Sequence, residues 1–107
     1  MEQITPVALK AWLDDTSRDK PLLLDVREPG EFDICHIDGA TLLPMSTVPV
    51  RSGELKPDDD IVVICHHGGR SMQVAMFLEQ RGFSRLYNLQ GGVNAWSAQV
   101  DPAMPRY

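Results

Sequence analysis

Apolar and polar positions along this 107-residue chain fall into short unbroken apolar runs separated by longer mixed segments. Ile61-Val62-Val63-Ile64 has no polar alternation, the pattern of a strand buried on both faces. Leu22-Leu23-Leu24-Asp25-Val26 is a second such run, interrupted by Asp25 at its carboxyl end. Ala40-Thr41-Leu42-Leu43, closed by Pro44, and Leu86-Tyr87-Asn88-Leu89 read as further short strands. Between the runs lie helical segments. Thr5-Pro6 is an N-cap followed by proline at the first helical position, predicting a helix over Val7 to Asp14 that buries Val7, Leu9 and Trp12 or Leu13. A short helical turn fits Glu31 to Ile34, after the break at Pro29-Gly30. Thr47 to Lys56, with Pro49 and Gly53, reads as loop or broken helix, and Pro57 to Asp60 as a turn.

Ser71 opens a segment of good helix formers, Met72 to Arg81, with Gly82 as its stop. Met72, Val74, Ala75, Met76, Phe77 and Leu78 make it apolar nearly all round, which predicts close packing on a sheet. After Gly91-Gly92 a closing helix runs to about Ala98, with Val93 and Trp96 inward. Strands alternating with helices predict parallel α/β architecture, and the length suits one domain over residues 1–107.

Composition narrows the function. Hydrophobic residues make up 43% of the chain, enough for a packed interior. A formal net charge of −5 argues against a nucleic-acid binder, which would show a basic stripe. No apolar run approaches the roughly 20 residues of a membrane span. Met1 to Pro6 has no basic region leading into an apolar core, so no signal peptide is read there. Two cysteines do not make a disulfide framework. A cytoplasmic location, with free thiols, is the expectation.

The candidate chemistry sits at Cys65-His66-His67-Gly68-Gly69-Arg70-Ser71. A thiol stands where a buried strand ends, the position at which open α/β sheets bind ligands. Amides of a glycine-rich loop can converge on an anion. The following helix adds unpaired N–H groups and the positive end of its dipole. Both favour a thiolate, the nucleophilic form of cysteine. Arg70 adds a permanent charge suited to oxyanions, whereas His66 and His67, with an ordinary pKa of about 6.5, are mostly neutral near neutrality. Residue types leave a second reading open: a buried strand-end cysteine beside an ordinary turn. Asp58-Asp59-Asp60 reads as a solvated turn, and Cys35, His36, Cys65, His66 and His67 lack zinc-ligand spacing, so no metal and no cofactor are expected.

Four blocks in order carry a family resemblance: Leu24-Asp25-Val26-Arg27-Glu28 with Glu31-Phe32, then His36-Ile37-Asp38-Gly39-Ala40, the Cys65 to Ser71 loop, and Leu89-Gln90-Gly91-Gly92-Val93-Asn94-Ala95-Trp96. Over essentially its full length the chain resembles a single-domain rhodanese, a sulfurtransferase. The resemblance implies a rhodanese-like three-layer α/β fold, a five-stranded parallel sheet with helices on both faces. It implies that Cys65 attacks the outer sulfur of thiosulfate or a related anionic donor and carries a persulfide. Cyanide or a thiol, a protein acceptor included, would then take the sulfur. His66, His67, Gly68, Gly69, Arg70 and Ser71 would bind substrate, with Arg70 supplying most of the side-chain attraction. Asp25 and Arg27 read as a strand-end charge cluster bracing the loop, and Trp96 and Met72 as core.

The chain departs from the family at two places: Cys35 stands where glycine is usual before His36, and the loop's second and third residues are both histidine. Related phosphatases place one more residue between cysteine and arginine, and this shorter loop fits sulfur better than a phosphoryl group. A non-catalytic or sulfur-carrier module is the other alternative, though such modules commonly lack the cysteine kept here.

Overall fold

All 107 residues are described by the structure, a computed structural model. Five parallel strands form one sheet: β1 (Glu2–Ile4), β2 (Leu22–Asp25), β3 (Thr41–Leu42), β4 (Ile61–Ile64) and β5 (Leu86–Leu89), ordered β1-β5-β4-β2-β3. The helices are α1 (Pro6–Asp14), α2 (Pro29–Ile34), α3 (Val48–Arg51), α4 (Gly69–Gln80) and α5 (Gly92–Gln99). The unbroken run Ile61 to Ile64 becomes the central strand, paired with β2 and β5 and fully buried.

Side chains of a strand alternate between faces, and β4 divides the core accordingly. Ile61, Val63 and Cys65 join Val74, Ala75 and Leu78 of α4 and Val48 of α3 in one apolar cluster. Val62 and Ile64 join Leu9 and Trp12 of α1 and Val93 and Trp96 of α5 in the other. The result is three layers, with α3 and α4 on one face of the sheet and α1 and α5 on the other, the arrangement the resemblance implies. No helix is long and apolar enough to cross a membrane.

Three elements differ from the sequence expectation, and a fourth, left open between two readings, resolves to one of them. Glu2–Ile4 pairs with β5 at the sheet edge; two exposed polar residues and one partly buried isoleucine leave no apolar run to read. The ambiguous segment is a broken helix, with α3 between single turns of 3₁₀-helix at Met45–Thr47 and Ser52–Glu54. Helix α4 buries one stripe, Ser71, Val74, Ala75 and Leu78, at helical spacing. Met72 and Met76 fall off that stripe and are 38% and 50% exposed, so Met72 is not a core residue. Val7 lies off the α1 stripe of Pro6, Leu9 and Trp12 and is exposed too.

Candidate active site

Strands β2 and β4 are neighbours in register, Asp25 opposite Ile64, so the chain segments leaving them lie side by side. Cys65 follows β4 with the parity of Ile61 and Val63, and its side chain is buried on the α4 face. Helix α4 begins at Gly69, earlier than its apolar pattern suggests, because Gly68 takes the N-cap position with φ of 104°. A side chain is strained in that left-handed conformation, and a Cβ there would lie 3.3 Å from the Gly91 amide nitrogen.

The loop's carbonyl groups are held from within. Val93 N–H, in the first turn of α5, donates to the Cys65 carbonyl at 2.9 Å, and Asn94 N–H donates to that of His66 at 3.1 Å. Gly68 C=O accepts from Met72 N–H and from the Asn88 side chain, both at 3.2 Å. Every peptide bond is trans, so each N–H points opposite to the carbonyl of its own peptide. Holding those carbonyls therefore turns the amides of His66, His67 and Gly69 the other way. Gly68 N–H donates to Cys65 Sγ at 3.0 Å. The amides of His66, His67, Gly69, Arg70 and Ser71 donate to no acceptor within the protein. Gly92 makes this packing feasible: a Cβ there would sit 2.3 Å from the Cys65 carbonyl oxygen and 2.4 Å from that of His66.

Cys65 Sγ also lies 3.2 Å from Ser71 Oγ. Ser71 is fully buried, and its hydroxyl is hydrogen-bonded to Asn88 Oδ1 on β5. Its side chain thus serves the thiol from below while its amide stays free.

The charged side chains form one connected network. Arg27 is fully buried, as is Asp25. Its Nε and Nη2 hold the Asp25 carboxylate at 2.9 and 2.7 Å. Nη2 also reaches the Cys35 carbonyl at 2.7 Å, and Nη1 reaches the Glu31 carbonyl at 3.3 Å and Tyr107 Oη at 2.9 Å. Burial disfavours the Arg27 charge, but the bonds to Asp25 and Tyr107 outweigh it and raise the pKa further. Glu31 accepts two 2.8 Å bonds from Arg70, one of 2.9 Å from the Tyr107 hydroxyl and one of 2.9 Å from Glu28 N–H. The Arg70 bonds above all hold its carboxyl down to about 2.

Arg70, read from the sequence as the loop's attraction for a dianion, is therefore already matched by a carboxylate. Its position in the first turn of α4 turns the side chain to α2, 39 residues away in sequence, which no local pattern reveals. His66 stacks on the Tyr107 ring, centroids 3.9 Å apart. Burial first, then His67, lowers its pKa and keeps it neutral.

Asp25 and Arg27 sit beside the loop as a saturated ion pair. Cys35 lies in the cluster on the opposite face of the sheet from Cys65, and both thiols are free. No group of three or more His, Cys, Asp or Glu side chains is placed to hold a metal. Sequence reasoning missed Asn88, Gln3 and Tyr107. Asn88 did carry a signal, a polar residue within a buried strand run, as Asp25 does; Tyr107 carried none.

Comparison with known proteins gives a consistent picture. The family model described as rhodanese-like domain matches residues 5–99. A rhodanese-like/PpiC domain-containing chloroplastic protein of Arabidopsis thaliana is 41% identical over 98 residues, 88% of this chain and 33% of that protein. The chain thus spans about a third of that relative's length. A sulfurtransferase of Allochromatium vinosum is 38% identical over 97 residues, covering 91% of this chain and 89% of its own. The crystal structure of a rhodanese-like domain protein from Staphylococcus aureus superposes with a TM-score of 0.84 at 29% identity, covering 100% of this chain and 99% of that one.

Proposed function

The chain belongs to the rhodanese-like domain family, and from that membership we propose that it transfers sulfane sulfur through a persulfide on Cys65. The thiol gives its proton to solvent. The thiolate then attacks the outer sulfur of thiosulfate, the S–S bond of the donor breaks, and sulfite leaves with the electron pair. Cyanide or a thiolate next attacks the outer sulfur of the persulfide. The new S–S bond breaks in turn and returns the Cys65 thiolate. Splitting one transfer into two displacements is the advantage of a covalent intermediate.

One observation carries the reading. The amides of His66, His67, Gly69, Arg70 and Ser71 have no protein acceptor, and that of Gly68 already meets the sulfur. Such preorganised donors suit an anionic donor, its departing sulfite and a persulfide anion alike. With Arg70 paired to Glu31 and His66 neutral, the amides supply most of the attraction for the anion. A sulfur-carrier role uses the same Cys65 chemistry with a protein as acceptor. The free thiols suit a reducing compartment such as the cytoplasm.

The test is thiocyanate formation from thiosulfate and cyanide. The wild type should turn over and Cys65→Ser should not. A Cys65→Ser protein that still forms cyanide-dischargeable persulfide would overturn the assignment. Aryl phosphates should be hydrolysed negligibly, because four residues between Cys65 and Arg70 make a loop too tight for a phosphoryl group.

A further inference from the structure

The hydroxyl of Ser71 has one proton and two neighbours placed to receive it. Its Oγ lies 3.2 Å from Cys65 Sγ and is hydrogen-bonded to Asn88 Oδ1. Which neighbour receives the proton follows from the rest of the Asn88 amide. Asn88 Nδ2 donates to the Gly68 carbonyl at 3.2 Å and to Gln3 Oε1 at 3.0 Å. A backbone carbonyl can only accept. Turning the amide over would set Asn88 Oδ1 against the Gly68 oxygen, at a site where both Asn88 and Ser71 are buried from water. Asn88 Oδ1 therefore faces Ser71, and it also can only accept. The Ser71 proton is committed to Asn88, and Ser71 presents lone pairs to Cys65. The 3.2 Å contact is then an S–H···O bond with the thiol as donor.

We propose that Asn88 is a positioning residue for the transfer reaction: by holding the Ser71 proton, it denies the Cys65 thiolate a hydroxyl hydrogen bond. Asn88 makes no hydrogen bond to Cys65 itself and acts through Ser71. Its role in turnover rests on the sulfurtransferase reading. A thiolate denied that proton is intrinsically a stronger nucleophile, but less of the thiol is ionised, and it is a poorer leaving group when the persulfide is discharged. Asn88 thus holds the resting thiol back, with a net slowing of attack by Cys65 at neutral pH.

The experiment compares alkylation of Cys65 by iodoacetamide at pH 7 and fixed ionic strength. The product is located by peptide mass, because Cys35 is free as well. Arg70, the charged neighbour that interacts with Cys65, is the same in every variant. Asn88→Leu removes the acceptor and frees the Ser71 proton for the thiolate. A hydrogen bond to a charged group raises the thiolate fraction about tenfold. The weaker nucleophilicity of a stabilised thiolate takes back about half of that on a logarithmic scale, so alkylation should be about threefold faster. Asn88→Asp loses the same Nδ2 donors, keeps an acceptor for Ser71 and adds a charge that opposes the thiolate, so it should be no faster than wild type.

In a Ser71→Ala background, Asn88→Leu should give no acceleration. The proposal is overturned if the Leu and Asp variants change in the same direction, or if the Leu effect survives without the Ser71 hydroxyl. Should Asn88→Leu not fold, faster alkylation of Asn88→Asp is enough to overturn it. Persulfide loading from thiosulfate is read separately by mass. A wild type that never loads would sink the sulfurtransferase reading and leave the alkylation pattern unaffected.

Discussion

Asp25-Val26-Arg27 and Cys65 to Ser71 leave neighbouring strands at the same end of the sheet, yet they are finished in opposite ways. At the end of β2 every N–H of the Arg27 guanidinium has an acceptor, and the Asp25 carboxylate is bonded by Arg27 alone. At the end of β4 the carbonyls are held by α5, Asn88 and α4, while most of the loop amides have no acceptor in the protein. On the proposed function, the difference separates bracing from chemistry. A saturated buried cluster cannot take up a new charge without breaking its own bonds. A backbone with its carbonyls fixed and its amides free can receive an anion with little rearrangement, which is the condition for electrostatic stabilisation of a reacting group.

The contrast can be broken from either side. The largest effect is expected at the braced end. Arg27→Leu leaves the fully buried Asp25 without a partner, and an uncompensated buried charge costs about 3–5 kcal/mol. Urea denaturation should show a midpoint lowered to match; an unchanged midpoint would mean that Asp25 finds another partner. Next comes the chemical end. Gly92→Ala drives a Cβ into the Cys65 and His66 carbonyls and displaces the loop, and misplacing reacting groups by about an ångström costs on the order of a hundredfold in rate. Persulfide loading should fall by that factor while circular dichroism shows a folded protein. Loading at the wild-type rate would show that α5 does not set the loop.

Glu31 joins the two ends, and its replacement sharpens the comparison. Glu31→Gln removes the charge opposed to Arg70, so KM for thiosulfate should fall severalfold at low salt; a rise would mean that Glu31 serves the loop by shape alone. The acid stability profile supplies the sign. Glu31 is held down to about 2 in the folded protein, so its contribution to stability is complete above the ordinary carboxylate range and is lost as pH falls towards 2. The Gln variant should lose less stability than wild type on acidification below about pH 5. The smallest effect is expected at Cys35, on the opposite face of the sheet from Cys65. Cys35→Ser should keep most turnover under reducing conditions. A loss on the order of a hundredfold, about 2.7 kcal/mol of barrier, would instead make it a relay thiol.

Legibility in the sequence followed the range of each interaction. Runs such as Ile61 to Ile64 declare a buried central strand locally, and Cys65 with its paired glycines and Arg70 marks a strand-to-helix loop within a few residues. The edge strand Glu2–Ile4 has no apolar run and is a strand only because β5 offers it a ladder. Arg70 shows its charge in the sequence but not its partner, because Glu31 reaches it only after the fold has brought α2 against α4. Gly92 reads as a helix-start break, whereas its closest constraint is the peptide that follows Cys65. Asn88 was readable as a polar residue in a buried strand, but the direction of its amide depends on Gly68 and Gln3 together.

Whether Cys65, in a loop whose amides are mostly free, carries the sulfur is tested by mass spectrometry of the protein after incubation with thiosulfate. The account predicts one added sulfur, mapped to the peptide containing Cys65 and removed by cyanide. No added sulfur, or one mapped to Cys35, would contradict it.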